Sequence, residues 1–210
     1  MAQGEKSGPI EFSDPPYVRS FFGSTRWAWL WLIVRLYVGY NWLDAGIEKL
    51  GNPAWTQTGL ALKGFWTAAV ATPPTGHAPI AFDWYRAFIQ SLLDAGAYTW
   101  FSKLIVAGEL LVGITLLLGL FTGISAFIGG FMNWNFMMAG TASINPLLFA
   151  LSILLVLAWK IAGWYGLDRW VLPALGVPWQ PGQMFAGKGQ PVETNPPVPV
   201  THKPEVPKEE

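Results

Sequence analysis

Between residues 100 and 166 the chain carries charge only at Lys103, Glu109 and Lys160, and no other feature limits the fold so strongly. About 20 consecutive apolar residues cross the hydrocarbon core of a bilayer. Inside that core only helices and closed barrels satisfy their own backbone hydrogen bonds. Gly119 and Gly123 permit a tight turn, and Pro146 suits the first turn of a helix. These breaks divide the stretch into expected spans at residues 100–120, 122–140 and 146–166. The first two are expected to be antiparallel neighbours. A further span, residues 27–47, is the weakest of the set, because Arg35 and Asp44 interrupt it. The expected fold class is therefore all-α, an integral membrane bundle of four transmembrane helices.

The long connection between the first two spans, residues 51–99, holds a semi-apolar stretch at 55–71 and an amphipathic stretch at 83–93. Thr72-Pro73-Pro74-Thr75-Gly76 separates them. Neither is long and apolar enough to span, so both are expected to form short interfacial helices. Three regions follow. Residues 1–26 form a polar leader in which Asp14-Pro15-Pro16 is expected to exclude a helix. Residues 27–172 form the membrane domain. Residues 173–210 form a proline-rich extended tail that cannot bury enough apolar area to fold alone.

Composition removes several function classes. Only 12% of residues are charged, against roughly 25% in a soluble domain. The net charge is zero, so nucleic acid is not an expected partner. The chain has no cysteine, which excludes thiolate and iron–sulfur chemistry by its own residues. His77 falls in a loop and His202 in the tail, so no bis-histidine haem can be built inside the bundle. No metal site is expected, and no covalently bound cofactor. No cleavable signal peptide is expected, since the first apolar run starts only near Trp27. Four spans put both termini on one side. Arg19, Arg26, Arg169 and Lys188 flank that side, and the positive-inside rule then places the termini in the cytoplasm of a cell (inner) membrane.

The chemistry lies in the polar residues of the spans. An ionisable group there costs roughly 2.5–3.5 kcal/mol on insertion scales. Arg35 sits eight residues into the first span, about 12 Å along the axis. Glu109 sits about as deep in the second. On a helical wheel, Arg35, Gly39, Trp42, Gly46 and Lys49 share one face of the first span. Tyr37, Asn41, Asp44 and Glu48 share another. Chain direction brings Arg35 level with residues 109–112, so an Arg35–Glu109 ion pair is expected inside the bundle. Two readings stand side by side. In one, Arg35, Glu109, Asn133 and Asn135 are packing glue between helices. In the other they build a pocket for a quinone or a small oxyanion. Arg35 and Glu109 are then its catalytic pair, and Trp42, Asn133, Trp134 and Asn135 its binding walls. Asp44, Glu48 and Lys49 are expected as a structural polar cluster near the end of the first span. Asp168 and Arg169 are expected as an interfacial pair.

Three blocks of sequence resemble the DoxX family. They are Arg35-Leu36-Tyr37-Val38-Gly39-Tyr40 leading to Gly46-Ile47-Glu48-Lys49-Leu50, then Gly108-Glu109-Leu110-Leu111-Val112-Gly113-Ile114 with Leu118-Gly119-Leu120-Phe121-Thr122, then Gly163-Trp164-Tyr165-Gly166-Leu167-Asp168-Arg169-Trp170. The resemblance covers roughly residues 27–172. It implies a four-helix membrane protein, of which some members are the membrane subunit of a thiosulfate:quinone oxidoreductase. The implied activity is quinone-linked electron transfer, with quinone as the diffusible carrier and other membrane or peripheral redox subunits as partners. The competing expectation is a non-catalytic accessory subunit that packs against a larger membrane redox complex.

Overall fold

The computed structural model describes residues 14–177, and every regular element among them is helical. Ten helices follow in chain order: α1 (Pro16–Gly23), α2 (Ala28–Leu50), α3 (Pro53–Thr56), α4 (Leu60–Val70), α5 (Asp83–Asp94), α6 (Tyr98–Leu118), α7 (Thr122–Met138), α8 (Asn145–Leu157), α9 (Trp159–Ala162) and α10 (Asp168–Ala174). The tail beyond residue 177, with Lys188 and His202, lies outside the described residues.

By length and composition α6 is the one described helix long and apolar enough to cross a membrane. α2 is longer, at 23 residues, but Arg35, Asp44, Glu48 and Lys49 dilute its apolar character. α7 has 17 residues and α8 has 13. The expected fourth span is not one straight element. It stops at Leu157, resumes at Trp159 and ends at Ala162, with Trp159 seated on Gly123 of α7. The leader also differs from expectation. Pro15 and Pro16 do not exclude a helix there. Pro16 occupies the first turn of α1, where its missing N–H costs nothing.

Two close helix pairs make the bundle. α2 runs along α6, and α7 runs along α8. Small residues set the first pairing. A Cβ on Gly113 would stand 2.6 Å from the Leu43 nitrogen, and one on Gly46 would stand 2.8 Å from Leu110. No larger residue fits at either place without moving a helix. Trp31, Val38, Trp42, Val112, Leu116, Leu148 and Leu155 fill the centre between the pairs.

α6 and α7 follow one another through a three-residue turn, yet they pack far less closely than either does with its main partner. Their seam is parted by a cleft lined by Leu104, Gly108, Ile128, Phe131 and Met132. The connection of residues 51–97 closes one end of this cleft. Leu62, Trp66 and Ala69 of α4 and Tyr85 and Ile89 of α5 pack with Ile105 of α6 and Ala139 after α7 as a second apolar cluster.

Candidate functional site

The α2–α6 pairing fixes which charges can meet. Gly39 lies against Leu116 and Leu117, Leu43 against Gly113, and Gly46 against Leu110. Lys49 therefore comes level with Glu109, and Arg35 comes level with the end of α6. The Lys49 Nζ stands 3.0 Å from Glu109 Oε2. The expected Arg35–Glu109 pair does not form. Arg35 meets Leu116 where the sequence reading placed Glu109, a register difference of seven residues, about 10 Å along the helix. The cause lies in the connection. Packing of α3 and α4 on the first turns of α6, with α5 seated on α4, carries that helix beyond the end of α2.

Arg35 belongs to a polar knot at the end of the bundle nearest the termini. Its Nη1 donates to the carbonyl oxygens of Leu116 and, at 3.0 Å, Leu117, and its Nη2 to that of Tyr165. The Leu117 carbonyl belongs to the last turn of α6, where intrahelical donors run out, while the Leu116 oxygen also accepts from the Gly119 N–H at 3.1 Å. Asp168 does the complementary work for α7. Its carboxylate accepts from the N–H of Phe121 at 2.6 Å and of Thr122 at 2.9 Å, capping the start of that helix. The Asp168 N–H in turn donates to the Gly119 oxygen at 2.8 Å. Gly119 has φ +65°, and a Cβ there would stand 2.6 Å from Arg35 Nη1. Both the turn and the guanidinium require glycine. Asp168 is thus buried in the knot and not part of an interfacial pair. Arg169 lies apart from it, over the Trp164 ring.

At the opposite end Glu109 opens on a cavity of about 310 Å³. Trp42, Lys49, Trp55, Glu109, Asn133 and Asn145 are among its walls. Its burial is uneven in a telling way. Glu109 and Asn133 are fully buried, and so is most of Trp42. Among the described residues neither Oδ1 nor Nδ2 of Asn133 has a hydrogen-bond partner, and neither does Trp42 Nε1. A buried amide left unpaired costs about 1–3 kcal/mol, and unpaired groups of this kind are few in folded proteins. Lys49 closes the rim, with its ammonium 5.4 Å from the centre of the Trp55 ring.

The residues expected as binding walls separate. Trp42 and Asn133 meet in the polar cavity with Glu109. Trp134 turns to a groove against α8 with Gly130, Phe149 and Ser152. Asn135 lines the α6–α7 cleft, where it accepts from the Tyr85 hydroxyl. Burial pushes the Tyr85 phenol above its ordinary pKa, which keeps that hydroxyl a donor at neutral pH. Three consecutive helical residues point about 100° apart, so one cavity cannot hold all of them. Of the α2 cluster, Asp44 and Glu48 are exposed on the outer face, and only Lys49 joins the site. Sequence reasoning missed Lys49 as the partner of Glu109, and Trp55 and Asn145 as walls. The wheel that grouped Lys49 with Trp42 held the signal for the first.

What the cavity offers chemically is a carboxyl group able to hold or release a proton, an ammonium beside it, and the Asn133 amide with nothing to bond among the described residues; the unpaired Trp42 Nε1 packs against Gly129 of α7. No protein-family model matches the chain, and no curated protein or solved structure does either.

Proposed function

We propose that the chain is a four-span membrane protein and the membrane subunit of a quinone-linked oxidoreductase, of the thiosulfate:quinone type that the DoxX resemblance implies. The four-span reading is supported by the outer surface. Ile33 and Ile47 on α2, Leu111 and Ile114 on α6, Ile124 and Phe127 on α7, and Leu147 and Leu157 on α8 are all exposed. Apolar side chains facing outward on every long helix form a surface that water tolerates poorly and acyl chains accept. In this reading α2, α6, α7 and α8–α9 span, while α3, α4 and α5 lie at the interface.

One observation carries the functional reading: the cavity beside Glu109 is polar, buried and unsatisfied. A neutral ring bearing two carbonyl oxygens answers its geometry. Asn133 Nδ2 donates to a carbonyl oxygen. Glu109 delivers a proton, and Lys49 compensates the carboxylate that remains. Reduction of a quinone takes two electrons and two protons. Glu109 relays both protons in turn, reprotonated from the rim at Lys49, and the two electrons come from two thiosulfate ions joined through a sulfur–sulfur bond as tetrathionate, directly or through a partner subunit. Arg35 has no part in this step, since its guanidinium is engaged at the other end of the bundle. The accessory-subunit reading accounts less well for Asn133, because a purely structural bundle gains nothing from a fully buried amide without partners.

The test is thiosulfate-dependent reduction of a water-soluble quinone analogue by the full chain in nanodiscs, with co-purifying subunits retained. Glu109→Gln and Asn133→Leu are expected to lower the rate at least about tenfold, the loss of ~1.4 kcal/mol of transition-state stabilisation. Unchanged rates in both variants would remove the cavity from the reaction. Failure of the wild type to bind any quinone would remove the function.

A further inference from the structure

The α6–α7 cleft encloses about 340 Å³ and lies directly beside the polar cavity, with Phe65 and Phe136 serving as walls of both. Its character is the reverse of its neighbour's. Seventeen residues line it, and the two polar ones at its edge, Tyr85 and Asn135, satisfy each other through the hydroxyl-to-Oδ1 hydrogen bond of 3.2 Å. Asn135 Nδ2 is spent on the Phe131 oxygen. Leu104, Ile105, Ile128, Phe131 and Met132 are among its apolar walls. A chamber without free polar groups thus adjoins a chamber whose polar groups are free.

Gly108 keeps the cleft open. A Cβ at that position would meet Met132 Sδ at 3.3 Å and nothing closer. Any other residue would project into the space between α6 and α7. Gly108 immediately precedes Glu109 in sequence, and Met132 immediately precedes Asn133. The two walls of the apolar chamber are therefore continuous with the two principal groups of the polar one. Beyond Ile128 the seam continues outward as a second apolar cavity, lined by Leu111, Thr115 and Ile124. Leu111 and Ile124 are exposed on the bundle's outer face.

We propose that the seam is a lateral portal, and that the ligand is an amphiphile with a neutral hydrogen-bonding head in the polar cavity and a hydrocarbon chain in the α6–α7 cleft. The ligand reaches the site from the bilayer, between Phe65 and Phe136, without crossing the aqueous rim at Lys49 and Trp55. The proposal rests on the cavity reading above. It adds the tail, its location and the route.

Photo-crosslinking tests it. The probe is a quinone with a decyl tail ending in a diazirine, added to the protein in nanodiscs and irradiated with and without excess of the tail-less quinone. The expected result is competable labelling of Leu104, Ile128, Phe131 or Met132. Gly108→Leu, whose nearest obstacle is a flexible methionine, is expected to reduce that labelling about tenfold. Binding of the tail-less quinone to the same variant is expected to stay unchanged. Competable labelling confined to Ile33 of α2 or the Phe149 side of α8 would overturn the portal while leaving the polar cavity intact. Absence of any competable labelling would overturn the portal and the cavity reading together.

Discussion

Asn133 and Arg35 are both fully buried and polar, and their environments assign them opposite roles. Arg35 spends its guanidinium on the carbonyls of Leu116, Leu117 and Tyr165, beside Asp168. Asn133 spends nothing within the protein. Arg35→Met removes the donors to those carbonyls, of which the Leu116 oxygen keeps the Gly119 N–H, and leaves Asp168 without its neighbour cation. It is expected to destabilise the fold by about 3–5 kcal/mol, as removal of one member of a buried charged set does. Asn133→Leu keeps the branched shape, places its larger methyl groups beside a cavity of about 310 Å³ that can take them, and removes an unpaired amide. It is expected to leave the ligand-free protein as stable as the wild type, or up to ~2 kcal/mol more stable. Unfolding midpoints of both variants in the same detergent, without added quinone, check the pair. A substantial loss of stability in Asn133→Leu would show that the amide is packing glue after all.

At the scale of helices, glycine position separates close approach from mere tolerance. In α6, a Cβ on Gly113 would stand 2.6 Å from the backbone nitrogen and 2.7 Å from the Cα of Leu43. Backbone cannot swing aside as a side chain can. Gly113→Ala is therefore expected to push α2 and α6 apart and cost about 1–3 kcal/mol. In α4, nothing lies within 4 Å of a Cβ on Gly64, which is exposed in mid-helix. Gly64→Ala is expected to stabilise by about 0.5–1 kcal/mol through helix propensity and the entropy of the unfolded chain. Thermal unfolding of the two variants should move in opposite directions. Residues far apart in the sequence also come together at this scale. Arg35, Gly119–Thr122 and Asp168 meet in one knot that ties the ends of α6, α7 and the segment after α9. Lys49 and Glu109 meet in the cavity.

For the whole molecule the decisive question is whether the proposed four-span arrangement holds, and the cysteine-free sequence makes it directly measurable. Thr25 and Thr75 are exposed, one just before α2 and the other between α4 and α5. In a four-span arrangement they lie on opposite sides. A membrane-impermeant maleimide added to intact inner-membrane vesicles is expected to label Thr25→Cys from the cytoplasmic face and Thr75→Cys only after permeabilisation. Labelling of both from one side would show that α2 does not span, and the cavity would then open on a different compartment.

The sequence alone settled the helical class and the approximate place of each long helix, and it sorted α2 into two polar stripes without deciding which faces inward. Those follow from local quantities: apolar run length, turn residues and an angle of about 100° per residue. The wheel put Arg35, Gly39, Trp42, Gly46 and Lys49 on one stripe, and these are the α2 residues turned inward. It gave no means of knowing that the other stripe, with Asp44 and Glu48, faces out. The partners of the buried charges were not legible either. Periodicity along one helix carries no information about its sliding register against another. That register was decided by glycine-to-leucine contacts between α2 and α6 and by the helices of residues 51–97 seated on the start of α6. Only in three dimensions did Arg35 become a fastening, Lys49 the counter-charge of Glu109, and Asn133 a buried amide without a partner among the described residues, because a displacement of seven residues along one interface exchanges the polar pairings across it.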